Sequence, residues 1–269
     1  MTTTTRSTGA AAISAAFERA QAEGRCALVT YVTTGWPSPE ATHGVVLALQ
    51  AGGADVIVLG VPFSDPVADG PAVQRAGHAA LQAGVTPRSC PETVAQLRAD
   101  GLTAPVLLTS YANPIVAFGL EEWVDACAAA GVEGLIVPDL PPEEAQPLQC
   151  ACEQRELALV YCTSPTTPPE RVARIASQTQ GFLYVQSPLD VRNAAATVTD
   201  ALRHQLATAR QCGRTPIAVE ADAARPEEAR ALAPLADGII VGSAVVEKAA
   251  EGPAALRAYV ASLRGAMSR

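Results

Sequence analysis

Carboxylates are prominent among the polar residues that follow the short apolar runs of this sequence. They come after three of the runs, where a buried strand would end and a loop would begin. Carboxylates that crowd together raise one another's pKa, which suits general acid or base chemistry, and their oxygens can also hold a divalent cation. The same loops contain no histidine, which argues against zinc. The five candidates are Asp65, Asp69, Asp139, Glu220 and Asp222.

Eight apolar runs would position these groups. Nearly continuous apolar character is typical of strands buried on both faces of a parallel sheet, and a longer helix-like segment follows each run. Eight such units predict an α/β fold, a closed (β/α)8 TIM barrel, with an extra N-terminal helix over 13–23. A doubly wound open sheet is the alternative. The predicted strands are 27–32, 56–60, 105–111, 134–137, 158–162, 182–185, 216–219 and 238–241.

The chain divides into a short tail and one domain. Residues 1–12 are rich in Thr, Ser and Ala and lack the apolar centre of a secretion signal, so we expect a disordered N-terminal tail. No linker or charge block interrupts residues 13–269, which predicts a single barrel domain. In such a barrel, function lies on the loops that leave the C-terminal ends of the strands.

The charge balance excludes some classes of partner. Lys and Arg number 19 against 27 Asp and Glu, which gives a net charge of −8, and no basic run occurs. We therefore expect no nucleic acid and no anionic membrane as a partner. No apolar stretch reaches the roughly 20 residues that span a bilayer. The seven cysteines form no CxxC pair, which favours reduced thiols in a cytoplasmic protein. The partner that we expect first is a small-molecule substrate.

Five motifs, in order along the chain, resemble the tryptophan synthase α subunit family. The resemblance covers about residues 17–265 and is most specific in LGVPFSDPVADGP at 59–71. It implies a (β/α)8 barrel that splits indole-3-glycerol phosphate into indole and glyceraldehyde 3-phosphate by a retro-aldol step. It also implies a PLP-dependent β subunit as partner, and no cofactor or metal in the α subunit itself. The other motifs are TYVTTGWP at 30–37, SYANPI at 110–115, VPDLPPEE at 137–144 and IIVGSAVV at 239–246.

The resemblance assigns roles to individual residues. Asp69 matches the aspartate that hydrogen-bonds the indole nitrogen and helps proton transfer. Gly242 and Ser243 match part of the phosphate site. The residues that match the substrate pocket and its loops are Tyr31, Tyr111, Asn113, Asp139 and Tyr184. The residues that match the loop facing the β subunit are Ser64, Asp65 and Pro66.

Three departures fall on the residues that carry the family's chemistry. Val58 stands where the family has its general acid/base glutamate, a group typically worth about 10²–10⁴ in rate, and would instead form an apolar wall of the substrate pocket. The stretch 187–193 lacks both glycines of the family's lid. Glu220 and Asp222 replace two glycines of the phosphate site, where each close pair of like charges costs about 4 kcal/mol.

These departures leave three interpretations open. The leading one is a barrel repurposed for lyase or cyclase chemistry on a small non-phosphorylated, aromatic or hydrophobic substrate, with Asp69 and Glu220 or Asp222 as catalytic acid and base. The second is an authentic α subunit in which Glu220 takes over the lost glutamate's task. The third is a non-catalytic binding partner of a β-type PLP protein, which would explain the complete SDPVADGP motif at 64–71.

Overall fold

Parallel strands form a nearly closed barrel in the computed structural model, which describes residues 8–186, 200–211, 213, 215–221 and 225–268. Within these residues nine strands follow one another around the sheet in the order β5-β4-β3-β2-β1-β9-β8-β7-β6. They are β1 Ala27–Thr33, β2 Val56–Gly60, β3 Val106–Thr109, β4 Gly134–Ile136, β5 Ala158–Val160, β6 Cys162–Thr163, β7 Leu183–Val185, β8 Ile217–Ala221 and β9 Gly238–Val241.

The ninth strand arises because the predicted fifth strand is divided at Tyr161. The Tyr161 N–H donates to the Thr179 hydroxyl at 2.9 Å, outside the sheet ladder, while the Tyr161 carbonyl accepts from the Tyr184 N–H at 3.1 Å. The chain runs on from β5 to β6 and joins the two ends of the sheet. The (β/α)8 prediction is therefore confirmed, and the doubly wound alternative is wrong.

Helices surround the barrel and cover its outer face. In the described part of the chain, no helix is long and apolar enough to cross a membrane. The helices are α1 Gly9–Ala22, α2 Thr42–Gly52, α3 Pro71–Gln82, α4 Ser89–Ala99, α5 Ala112–Phe118, α6 Leu120–Ala130, α7 Gln146–Gln154, α8 Pro169–Gln178, α9 Asp200–Gln211, α10 Pro226–Leu232, α11 Ser243–Ala249 and α12 Pro253–Ala266.

Helix α1 closes the floor of the barrel, at the N-terminal ends of the strands. Its residues Ile13 and Phe17 belong to the same buried cluster as the inward side chains of the strands, and the Phe17 ring lies 5.5 Å from the ring of Phe182. The helix begins at Gly9, earlier than predicted, so residues 9–12 of the predicted tail belong to it. Gly9 is suited to this start because a Cβ there would collide with the Glu133 carbonyl.

Three carboxylates near the floor share one arrangement. Each lies immediately before a strand, accepts an N–H from the start of the preceding strand and pairs with an arginine. Asp55 accepts from the Leu28 N–H at 2.8 Å and from Arg25 at 2.6 and 2.8 Å. The other two sets are Glu133 with Val106 and Arg98, and Asp237 with Ile217 and Arg210.

Candidate active site

A cavity of about 380 Å³ opens at the other end of the barrel, where the strands end. Its volume lies within the range of small-molecule sites, about 300–1,000 Å³. Its lining mixes an apolar wall with a few polar groups from distant parts of the chain. The predicted site residues that line it are Tyr31, Val58, Asp69, Tyr184, Glu220, Gly242 and Ser243.

Asp69 is held at the cavity by the loop between β2 and α3. The Tyr111 hydroxyl accepts from the Ala68 N–H at 2.9 Å and hydrogen-bonds the Asp69 carboxylate, so it fixes the loop from behind. Burial raises the pKa of Asp69 to about 6, although the hydrogen bond from Tyr111 opposes this rise. Asp69 can therefore exchange a proton near neutral pH.

Glu220 lines the same cavity from β8, next to Tyr184. The Tyr184 hydroxyl hydrogen-bonds the Glu220 carboxylate. Burial, followed by the charge of Glu220, raises the pKa of Tyr184 well above its usual value, and the charge of Asp69 adds to this effect. Burial and the charge of Glu220 also raise the pKa of the Cys162 thiol to about 12. The negative charges of Asp69 and Glu220 thus both oppose ionisation of the Tyr184 phenol.

Val58 gives the cavity an apolar surface with no proton to exchange. It is 3% exposed and pairs in register with Tyr31 on β1 and Leu107 on β3. Tyr31 lies half-buried beside it, and its hydroxyl is 3.2 Å from the Thr33 hydroxyl. Burial also raises the pKa of Tyr31. A side chain at Gly60 would collide with the Tyr31 phenol, so glycine at the end of β2 lets this ring lie at the mouth.

Three residues assigned to the substrate pocket by resemblance lie outside the lining of this cavity. Tyr111 stands behind Asp69, and Asn113 is exposed on α5. The Asp139 carboxylate accepts from the Ala112 N–H at 3.0 and 3.2 Å, at the start of α5. In this structure Asp139 caps a helix that begins at the mouth.

The residues assigned to partner contact lie on the outer rim of the mouth. Ser64 and Asp65 are exposed and joined by a hydrogen bond of 2.6 Å, and Pro66 is half-buried beside them. The adjoining Val67 is 86% exposed. Asp222 and the stretch 187–193 lie outside the described residues.

Sequence reasoning missed two cavity residues, each of which lies two positions after a residue that points into the barrel. Thr109 lies two residues after the inward Leu107, and Cys162 lies two residues after the inward Val160. Side chains of a strand alternate between its two faces, so counting outward from the core positions would have found both.

Comparison with known proteins gives one consistent family. The family model described as "Tryptophan synthase alpha chain" matches residues 17–267. The tryptophan synthase alpha chain of Chloroflexus aurantiacus is 42% identical over 96% of this chain and 98% of its own length. That of Chloroflexus aggregans is 44% identical over 88% of each chain. A chain in a crystal structure of tryptophan synthase from M. tuberculosis superposes with a TM-score of 0.88 at 33% identity, covering 96% of this chain and 98% of that one.

These relatives overturn the leading interpretation of the sequence. A barrel repurposed for a non-phosphorylated substrate is wrong, because alpha chains are similar to this protein along nearly its whole length. That interpretation rested on three local departures. It gave too little weight to the rest of the chain, where the 59–71 motif is complete and carries Asp69, a residue that lines the cavity. The chain belongs to the tryptophan synthase alpha chain family.

Proposed function

We propose that this protein cleaves indole-3-glycerol phosphate to indole and glyceraldehyde 3-phosphate, as the α subunit of a tryptophan synthase. The observation that carries the proposal is the position of Asp69. It lines the cavity together with Tyr31, Tyr184 and the Gly242–Ser243 turn, so groups suited to indole and to phosphate face one space.

The indole ring would lie against the apolar wall of the cavity. Val58, Ile136 and Ile240 provide aliphatic surface, and the rings of Tyr31 and Tyr184 add aromatic surface. A carboxylate with a pKa of about 6 accepts the indole N–H at neutral pH and stabilises the positive charge that the ring acquires during cleavage.

The phosphate would lie at the turn between β9 and α11. Gly242 and Ser243 line the cavity there and are the two residues that the family resemblance assigns to phosphate. Backbone N–H groups at a glycine-containing turn can approach a phosphate closely, which supports this orientation of the substrate.

The partner would be a PLP-dependent β subunit that docks on the rim of the mouth. The loop that carries Asp69 also has three exposed residues at this rim, Ser64, Asp65 and Val67. A partner on this loop would therefore act on the position of a cavity residue. The PLP belongs to that partner, and no step assigned to this chain uses it.

Release of indole from indole-3-glycerol phosphate tests the proposal. Purified protein should release indole, measured by chromatography, and an added tryptophan synthase β subunit should increase the rate. Absence of release both alone and with the β subunit would overturn the proposal, even if the two proteins bind each other. That result would favour a non-catalytic binding partner.

A further inference from the structure

The cavity lacks a titratable group on β2 and has one on β8. Val58 occupies the inward position of β2 that the resemblance gives to a glutamate. Glu220 lines the same cavity from β8, and only β1 and β9 separate these two strands in the sheet.

The strand pattern directs Glu220 inward. Ala218, two residues earlier, belongs to the buried cluster inside the barrel, whereas Val219 and Ala221 pack in the cluster between strands and helices. Alternation along β8 therefore turns the Glu220 side chain toward the cavity. A carboxylate in such a half-buried place costs free energy unless hydrogen bonds compensate it, and the Tyr184 hydroxyl supplies one.

We propose that Glu220 is the general acid and base of this α subunit, acting from β8 where the family uses β2. The inference rests on the proposed function, since it assigns a residue to that reaction. Tyr184 is the positioning residue, because its hydroxyl holds the Glu220 carboxyl group inside the cavity. Asp69 remains the partner of the indole nitrogen.

The proton and electron balance needs only one carboxyl group. The Glu220 carboxyl donates its proton to C3 of the indole ring, which leaves a positive charge on the ring nitrogen beside Asp69. The resulting Glu220 carboxylate accepts the proton of the hydroxyl on the neighbouring glycerol carbon. The bond between that carbon and C3 breaks, and its electron pair returns to the ring. Indole and an aldehyde result, and Glu220 is again protonated.

The central experiment compares Glu220→Gln with the wild-type protein by indole release. Glutamine keeps the shape and can still accept from Tyr184, but it cannot exchange a proton. We expect kcat to fall about 10²–10⁴-fold and calorimetric binding of indole-3-glycerol phosphate to change no more than about threefold, since the loss falls on the transition state. Glu227→Gln is the matched control, because Glu227 is exposed on the next helix, α10.

A second variant distinguishes catalysis from structural support. Adding Val58→Glu to Glu220→Gln returns a carboxyl group to β2, and we expect at least a tenfold recovery of kcat over the single variant. A structural role for Glu220 predicts no such recovery. Glu220→Asp provides a further measurement if Glu220→Gln folds poorly, and it should retain partial turnover because it keeps an exchangeable proton.

The outcomes separate this inference from the proposed function. If the wild type releases indole and Glu220→Gln keeps a third or more of its kcat, Glu220 is not the acid and base, while the proposed function stands. If the wild type releases no indole even with a β subunit, the proposed function fails and this inference fails with it.

Discussion

The two ends of the barrel hold their carboxylates in different surroundings. Near the floor, Asp55 contacts Arg25 and the N–H of Leu28. At the mouth, Asp69 and Glu220 have tyrosine hydroxyls as hydrogen-bond partners. An arginine holds Asp55 in a fixed ion pair. Burial raises the pKa of Asp69 to about 6, against the opposing effect of the Tyr111 hydrogen bond, so Asp69 can exchange a proton near neutral pH. The same kind of side chain is therefore fixed in an ion pair at one end and, in the proposed function, takes part in chemistry at the other.

After Glu220→Gln, replacing Asp69 should give the largest effect on activity. Asp69→Asn removes the negative charge that stabilises the positively charged indole ring while keeping the shape of the loop, so kcat/KM should fall about 10²–10³-fold. Steady-state indole release measures this loss. Asp100→Asn, the same change at an exposed residue beyond α4, should behave as wild type. Equal activity of the two variants would show that Asp69 has no chemical role.

Asp55→Asn should lower the free energy of unfolding and leave catalytic activity unchanged. It leaves the buried Arg25 without its main partner, and breaking a buried ion pair of this kind costs about 3–5 kcal/mol. Urea unfolding followed by circular dichroism measures the change, and activity per folded molecule should stay at the wild-type level. Asp125→Asn breaks the exposed pair with Arg155 and should lower stability much less, because solvent screens this pair. Similar losses in both variants would contradict the assignment of the floor carboxylates to stability.

Asp69→Asn should also change how stability depends on pH. The pKa of Asp69 is about 6 in the folded protein and about 3.8 when unperturbed, so ionisation costs the folded state more than the unfolded chain. Above pH 6 the variant should be more stable by about 1–2 kcal/mol, after allowance for solvent screening. Below about pH 4 both states hold the proton and the difference should vanish. Thermal unfolding at pH 4, 6 and 8 measures it, and a variant less stable than wild type at pH 8 would show that Asp69 stabilises the mouth.

The change at Asp139 should have the smallest effect. Asp139→Ala removes the cap of α5 and should cost about 1 kcal/mol of stability. Because Asp139 lies outside the cavity lining, we expect kcat within about twofold of wild type and KM little changed. A large rise in KM would instead place Asp139 in substrate binding, as the family resemblance suggests. Equilibrium unfolding and indole release separate the two.

The fold was largely predictable because each strand is encoded locally. Runs such as Val56–Gly60 and Gly238–Val241 have the predicted bounds, since apolar composition and flanking glycine or charge define both ends. The division at Tyr161 was not predictable, because it depends on the Thr179 hydroxyl, which reaches the strand from beyond α8. Helix α1 starts at Gly9 because the Thr8 hydroxyl accepts from the Ala11 N–H at 3.3 Å, a local cap that the sequence prediction did not use.

The candidate site was predictable for residues that end an apolar run or follow it in the next loop. Asp69 and Glu220 were found from their positions after or at the end of apolar runs, and both line the cavity. The placement of Tyr111 behind Asp69 and of Asp139 at the start of α5 depends on how neighbouring loops meet in space. Neither contact leaves a pattern along the chain.

The position of α1 constrains the order in which this protein can mature during synthesis. The Gly9 N–H donates to the Glu156 carbonyl at 2.8 Å, and Phe17 packs on Phe182, so α1 leaves the ribosome well before the residues it contacts. Until those strands exist, the apolar face with Ile13 and Phe17 lacks its native cover and is open to aggregation. A translational pause between α1 and Phe182 would therefore prolong the exposure of this apolar face.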